Sequence, residues 1–175
     1  MRDVTVFGRR EWGLLAIVAI YSSIPALGGM IRIAELAGGS AIAPVNPRAL
    51  AAPLPVVLHI LASIVFCIGA AFQFMPRLRR HRPRGHRTVG RAVAAAGCLA
   101  AATGLWMTVF YSFPADLQGR LLFWVRLGLG LLMIALILGA VLAIRGRDTY
   151  RHGASMIRAY AIGQGASTQA FMGIV

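Results

Sequence analysis

Four histidines, five carboxylates and eighteen basic residues, every one of them arginine, make up nearly all the ionisable chemistry of this 175-residue chain. Three polar residues fall inside or beside apolar stretches: His59, Arg126 and Gln169. An imidazole donates or accepts, a guanidinium clamps an anion or a carbonyl oxygen, and a primary amide does both. At one membrane level they would suit a polar head on a lipid-soluble body, such as a quinone or a phosphorylated lipid. The plainer alternative has His59 hydrogen-bonded to a neighbouring helix and Arg126 snorkelling to headgroups. His59 also opens a stripe with Ser63, Phe66, Ala70 and Gln73, at alternating spacings that put all five on one helical face. A face holding His, Ser and Gln is expected to look into a bundle and not at lipid.

A second group of imidazoles, His81, His86 and His152, lies among arginines. Of these, His86 and His152 are the best pair to hold a b-type haem through its iron, and the plain alternative is solvation beside lipid phosphates. No C-x-x-C-H motif exists for covalent attachment, and no metal motif is present. Walker-type loops, H-E-x-x-H and G-x-S-x-G are also absent, so an enzyme is not expected. The carboxylates Asp3, Glu11, Glu35, Asp116 and Asp148 all lie outside the apolar runs, which argues against proton pumping through buried acids. Asp148 is placed to cap a helix.

The elements that must position these residues follow from hydropathy. With 58% hydrophobic and 13% charged residues, the chain is too apolar for a water-soluble domain. Uncharged runs cover 12–31, 49–76, 92–115, 127–144 and 159–175, each near bilayer length. The expectation is an all-α polytopic transmembrane bundle of about five helices in one domain, 1–175. Its helices fall near 12–31, 53–75, 90–113, 121–144 and 153–175, with a basic inner loop at 77–91. Pro53 and Pro55 suit the start of the second helix. The first run is too long for a signal h-region and reads as a retained helix. Counted from the expected outer helix ends, His59 lies about 6 Å deep, Arg126 about 7 Å and Gln169 about 9 Å.

Charge gives the expected orientation. With the N-terminus cytoplasmic and five spans, 14 arginines fall inside and 4 outside, which satisfies the positive-inside rule in one sense only. Arg77, Arg79, Arg80, Arg82, Arg84, Arg87, Arg91 and Arg158 are the expected contacts for lipid headgroups, at about 1 kcal/mol each near an anionic leaflet. A bacterial inner membrane is the expected location, and the absence of Lys fits a GC-rich bacterial genome. Nucleic acid is not an expected partner. Cys67 and Cys98 read as packing residues. Small residues four apart, at Gly97 and Ala101, at Ala135, Gly139 and Ala143, and at Ala159, Gly163 and Ser167, suit close helix packing, inside the bundle or against another subunit.

Two motifs carry a resemblance: HRTVGR at 86–91 and HGASMIRAY at 152–160, with Leu58 and His59 ahead of a basic segment and AIGQGASTQ at 161–169. Over roughly 50–175 the chain resembles a family of predicted prokaryotic multi-helix membrane proteins of unknown function. The resemblance points at His59, His86, Arg87, Arg91, His152, Arg158 and Tyr160, and implies no activity. It also implies at least one further helix, so that a chain stopping at Val175 is either truncated or ends against a partner. The leading functional expectation is an accessory or assembly subunit of a larger membrane complex, with the lipid bilayer, other subunits or its own copies as partners. The alternative is a b-type haem or quinone/lipid-binding protein in electron transfer.

Overall fold

Proline sets the helix starts. Its missing N–H costs nothing at the first helical position, and its fixed φ is already helical. In a computed structural model, which describes residues 9–42, 44–113 and 119–165, prolines open four consecutive helices: α2 (Pro47–Ala51), α3 (Pro53–Gln73), α4 (Pro76–His81) and α5 (Pro83–Phe110). Before them runs α1 (Arg9–Leu36), and after them α6 (Arg120–Arg145) and α7 (Thr149–Gly163). All elements among the described residues are helical.

Four segments are long and apolar enough to cross a bilayer: Leu15–Leu36 within α1, and the whole of α3, α5 and α6. The protein is therefore an all-helical membrane protein. The expected fifth span begins with α7, 15 residues in its described part, and the rest of that segment lies outside the described residues. The first helix runs past the expected limit at 31, and Arg32 there is paired with Glu35 at 2.7 Å. Glu35 also accepts from the Ile42 amide at 2.8 Å, and Arg32 donates to the Pro44 carbonyl at 3.0 Å. These bonds hold the connector against the end of α1.

The stretch 77–91, expected as a loop, is helical except at Arg82. Arginine is a good helix former, so charge keeps this stretch out of lipid without keeping it out of a helix. Pro76 and Pro83 start its two helices in turn.

Packing is centred on Phe66 of α3, which is only 1% exposed. A Cβ at Gly97 would stand 2.6 Å from its ring, and one at Gly163 would stand 2.7 Å from it. The small faces of α5 and α7 thus close on one aromatic ring, with Val93, Met133, Ile137 and Ala159 around it. Cys67 and Cys98 are free and pack against this core. By contrast Gly139 meets nothing within 4 Å, and its neighbour Ala135 is exposed. Helix α1 touches the rest chiefly through α3, with Leu15 against Ala71 and Met75.

Between α6 and α7 the chain turns tightly. Arg147 adopts φ 64°, the left-handed conformation that ends a helix. The Asp148 amide returns to the Ala143 carbonyl at 2.9 Å. Asp148 then caps α7, accepting from the Arg151 amide at 2.9 Å, as its position ahead of the helix suggests.

Candidate functional site: a cavity between the helices

The face of α3 that carries His59 and Ser63 turns inward, as the stripe predicts. Phe66 and Ala70 on it are buried, and His59 binds to α5. Its Nδ1 lies 2.8 Å from the Ala100 carbonyl and 3.3 Å from the Thr103 hydroxyl. A carbonyl can only accept, so Nδ1 carries the proton in this arrangement. Thr103 in turn donates to the Leu99 carbonyl at 2.7 Å, which fixes the surface against which the ring rests. Nε2 makes no hydrogen bond among the described residues and is not enclosed. It can accept from a ligand, or donate to one when the ring is charged.

Glycine makes room for this imidazole. A Cβ at Gly104 would stand 3.3 Å from His59 Cε1 and 3.5 Å from Nδ1, so any larger residue there presses on the ring. The requirement involves two helices and is invisible in the one-dimensional pattern.

His59 lines a cavity of about 570 Å³, within the range of small-molecule sites. Its wall is mostly apolar, with a few polar groups that include His59, Ser63 and Arg126. Of the three residues expected to converge, His59 and Arg126 both line this cavity. Gln169, with its neighbour Thr168, lies outside the described residues. A different glutamine is tied to this wall through its hydrogen-bond partners. Gln164 is buried and donates to Ser22 at 3.0 Å and to Tyr160 at 2.7 Å, while Tyr160 donates to the Cys67 carbonyl at 3.2 Å. This chain ties α1, α7 and α3 together, and Ser22 and Cys67 belong to the cavity wall.

The sequence reading missed the mouth. Arg48 and Phe113 also line the cavity. The Arg48 guanidinium carbon lies 4.6 Å from the Phe113 ring centroid, and that of Arg126 lies 5.4 Å from the same centroid, both within cation–π reach. Asn46 explains the placement of Arg48. Its side chain caps α2, accepting from the Ala49 amide at 3.4 Å and from Arg48 Nε at 3.2 Å. The signal was present as Asn-Pro-Arg, a cap followed by proline, yet nothing in the spacing joins residue 48 to residue 126. Tyr111 closes the same end by donating to the Ala52 carbonyl at 2.6 Å.

The opposite end of the bundle is arranged otherwise. His152 Nδ1 donates to the Ala140 carbonyl across 3.0 Å, and His86 lies within electrostatic reach of Arg79 and His152. A haem held by both imidazoles needs a ring-sized slot between them. The cavity that His86 borders is about 290 Å³, and His152 is not on its wall. His86 Nδ1 and Gln73 Nε2 are buried there without hydrogen-bond partners among the described residues. Among the described residues no three His, Cys, Asp or Glu side chains gather as a metal site. Arg79, Arg80, Arg82, Arg84, Arg87, Arg91 and Arg158 are all exposed; for Arg77 only the backbone is described.

Comparison with known proteins returns one family. The model described as "Predicted membrane protein (DUF2306)" matches residues 56–175, which takes in His59, His81, His86, Arg126 and His152 but not Arg48. No curated protein and no solved structure matches the chain.

Proposed function

Because the chain belongs to the DUF2306 family of predicted membrane proteins, which carries no assigned function, we propose a role from its own geometry: it holds an amphipathic small molecule within the bilayer. The polar head sits between His59 and Arg126, and the apolar body lies along the cavity toward Cys67 and Met133. One observation carries this reading. An otherwise apolar cavity of about 570 Å³ has on its wall a histidine that is fixed through one ring nitrogen and has the other free.

In this reading the protein is a multi-pass protein of a bacterial inner membrane with a cytoplasmic N-terminus. The concentration of arginine around α4 and the start of α5 supports that orientation, and the cavity then opens in the outer leaflet. The accessory-subunit reading draws on Ala135 and Gly139, whose face on α6 is left unpacked by the bundle. Lipid can cover the same face, so this reading ranks second. Electron transfer through a haem at His86 and His152 draws on their proximity alone.

The test is extraction of the protein, purified in mild detergent, followed by mass analysis of what it releases. Wild type is expected to release one amphipathic species at near one per chain. His59→Ala and Arg126→Ala should each retain roughly a tenth or less, as expected when a hydrogen bond to a charged or polar head is lost. Release of bulk lipid only from wild type, or equal retention by all three proteins, would overturn the proposal.

A further inference from the structure

The kind of head that His59 can hold depends on which of its nitrogens carries the proton. Nδ1 lies 2.8 Å from the Ala100 carbonyl and 3.3 Å from the Thr103 hydroxyl oxygen. A carbonyl only accepts, and the Thr103 hydroxyl turns its own proton to backbone carbonyls, Leu99 at 2.7 Å or Ala100 at 3.1 Å. Both neighbours of Nδ1 therefore present lone pairs to it, and the proton sits on Nδ1. Among the described residues no Asp or Glu lines the cavity. A second proton on the ring would leave a charge in a mostly apolar wall with no described carboxylate to meet it. The neutral ring offers a lone pair, and no donor, at Nε2.

One turn further along α3, Ser63 lines the same cavity. Thr103 and Thr108 on α5 give their hydroxyl protons to carbonyls four residues back, a common use of a hydroxyl within a helix. Ser63 makes no such bond among the described residues, and its oxygen is not enclosed. Two polar groups on one face of α3 thus remain for a ligand: an acceptor at His59 Nε2 and a hydroxyl at Ser63.

We infer that the cavity takes an amphiphile whose head carries a hydroxyl group, which donates to His59 Nε2 while the Ser63 hydroxyl meets an oxygen of the same head. This rests on the reading of the cavity as an amphiphile site and narrows it from any polar head to one that donates. A carboxylate, a phosphodiester or a quinone carbonyl presents only lone pairs and would set acceptor against acceptor at Nε2. An ammonium head would donate, but no described carboxylate lines the wall to receive its charge. The alcohol of a glycerol lipid and the phenol of a quinol share the required chemistry.

The experiment is binding to the full chain in neutral detergent, stripped of lipid, at about pH 8, where an ordinary imidazole is neutral. The probes are two matched pairs: dioctanoylglycerol with its O-methyl ether, and a short-chain ubiquinol, kept anaerobic, with the corresponding ubiquinone. In at least one pair the hydroxyl member is expected to bind roughly tenfold more tightly than its partner, the difference expected when a polar group at the site loses its only partner. The tighter-binding hydroxyl member assigns the source, lipid alcohol or quinol. His59→Ala should bring the members of that pair to equal affinity. Ser63→Ala should weaken both members by roughly threefold and keep the preference, because an ether or carbonyl oxygen accepts from Ser63 as a hydroxyl does. Equal or reversed binding within both pairs by wild type would overturn the hydroxyl head while the amphiphile reading stands, a result that does not depend on either variant folding. A preference that survives in His59→Ala, or vanishes in Ser63→Ala, would take the acceptor away from Nε2 and overturn the inference as well. If no amphiphile binds, both readings fall.

Discussion

The two ends of this bundle use the same residue types in opposite ways. At the His59 end, imidazole and guanidinium groups are drawn inward: His59 is anchored to α5, and Arg48 and Arg126 converge on one ring above a cavity. At the His86 end, seven arginines are exposed, His152 is fixed to the backbone of α6, and the cavity that His86 borders is about 290 Å³. Residue type alone does not distinguish the two arrangements. What distinguishes them is the larger cavity that His59 lines.

The largest expected effect concerns the ring between the two ends. Phe66 fills the space left by Gly97 and Gly163 and also reaches the cavity wall. Phe66→Ala should lower stability by about 3–5 kcal/mol in a detergent melt and loosen both ends together. A loss of ligand retention with no change in melting temperature would show that the ends are not joined through this ring.

Next in size is the contrast between histidines. His59→Ala is expected to cut ligand retention roughly tenfold, whereas His86→Ala and His152→Ala leave it unchanged. His152→Ala should cost about 1 kcal/mol of stability for its lost bond to Ala140. Oxidised and reduced visible spectra sharpen the same contrast. A Soret band that disappears in His152→Ala would move the chemistry to the other end.

Salt separates the ends at smaller cost. The exposed arginines should hold anionic lipid by about 1 kcal/mol each, an attraction screened as ionic strength rises. Glutamine at Arg80 and Arg84 together is expected to reduce binding to vesicles containing phosphatidylserine, and 0.5 M salt should do the same to wild type. The ligand at the His59 end should survive that salt. Loss of both at equal salt would mean that the ligand at the His59 end is also a surface contact.

The smallest effect is local. Arg147 carries a side chain in the left-handed region, where glycine fits without strain. Arg147→Gly should therefore raise stability by about 0.5–1 kcal/mol and alter neither end's binding.

Much of this was legible before any coordinates. Uncharged runs of bilayer length mark the four apolar helices, because a membrane allows little else. Prolines mark where helices begin, and the His59 stripe marks the face of α3 that turns inward. The depth count puts His59 and Arg126 at nearly one level, and both line the same cavity. The helical state of 77–91 was not legible, because a run of arginines was read for its solubility when its helix propensity also mattered. Nor was the mouth. Arg48 and Arg126 are joined through Phe113 by packing of a short helix against a connector, and no periodicity encodes such a meeting. Gly97 reads as a generic small residue until the Phe66 ring that needs its space is in place, and nothing in the spacing marks Gly104 as the partner of His59.

The most direct measurement uses a reporter already in the wall. Cys67 lines the cavity and Cys98 does not, so both can be followed by peptide mass mapping during reaction with a small membrane-permeant maleimide. In lipid-stripped protein Cys67 should react, and saturation with a short-chain amphiphilic lipid should slow it while leaving Cys98 unchanged. Equal Cys67 rates with and without the lipid, or no reaction at Cys67 in the stripped protein, would contradict a ligand-holding cavity at this end of the bundle.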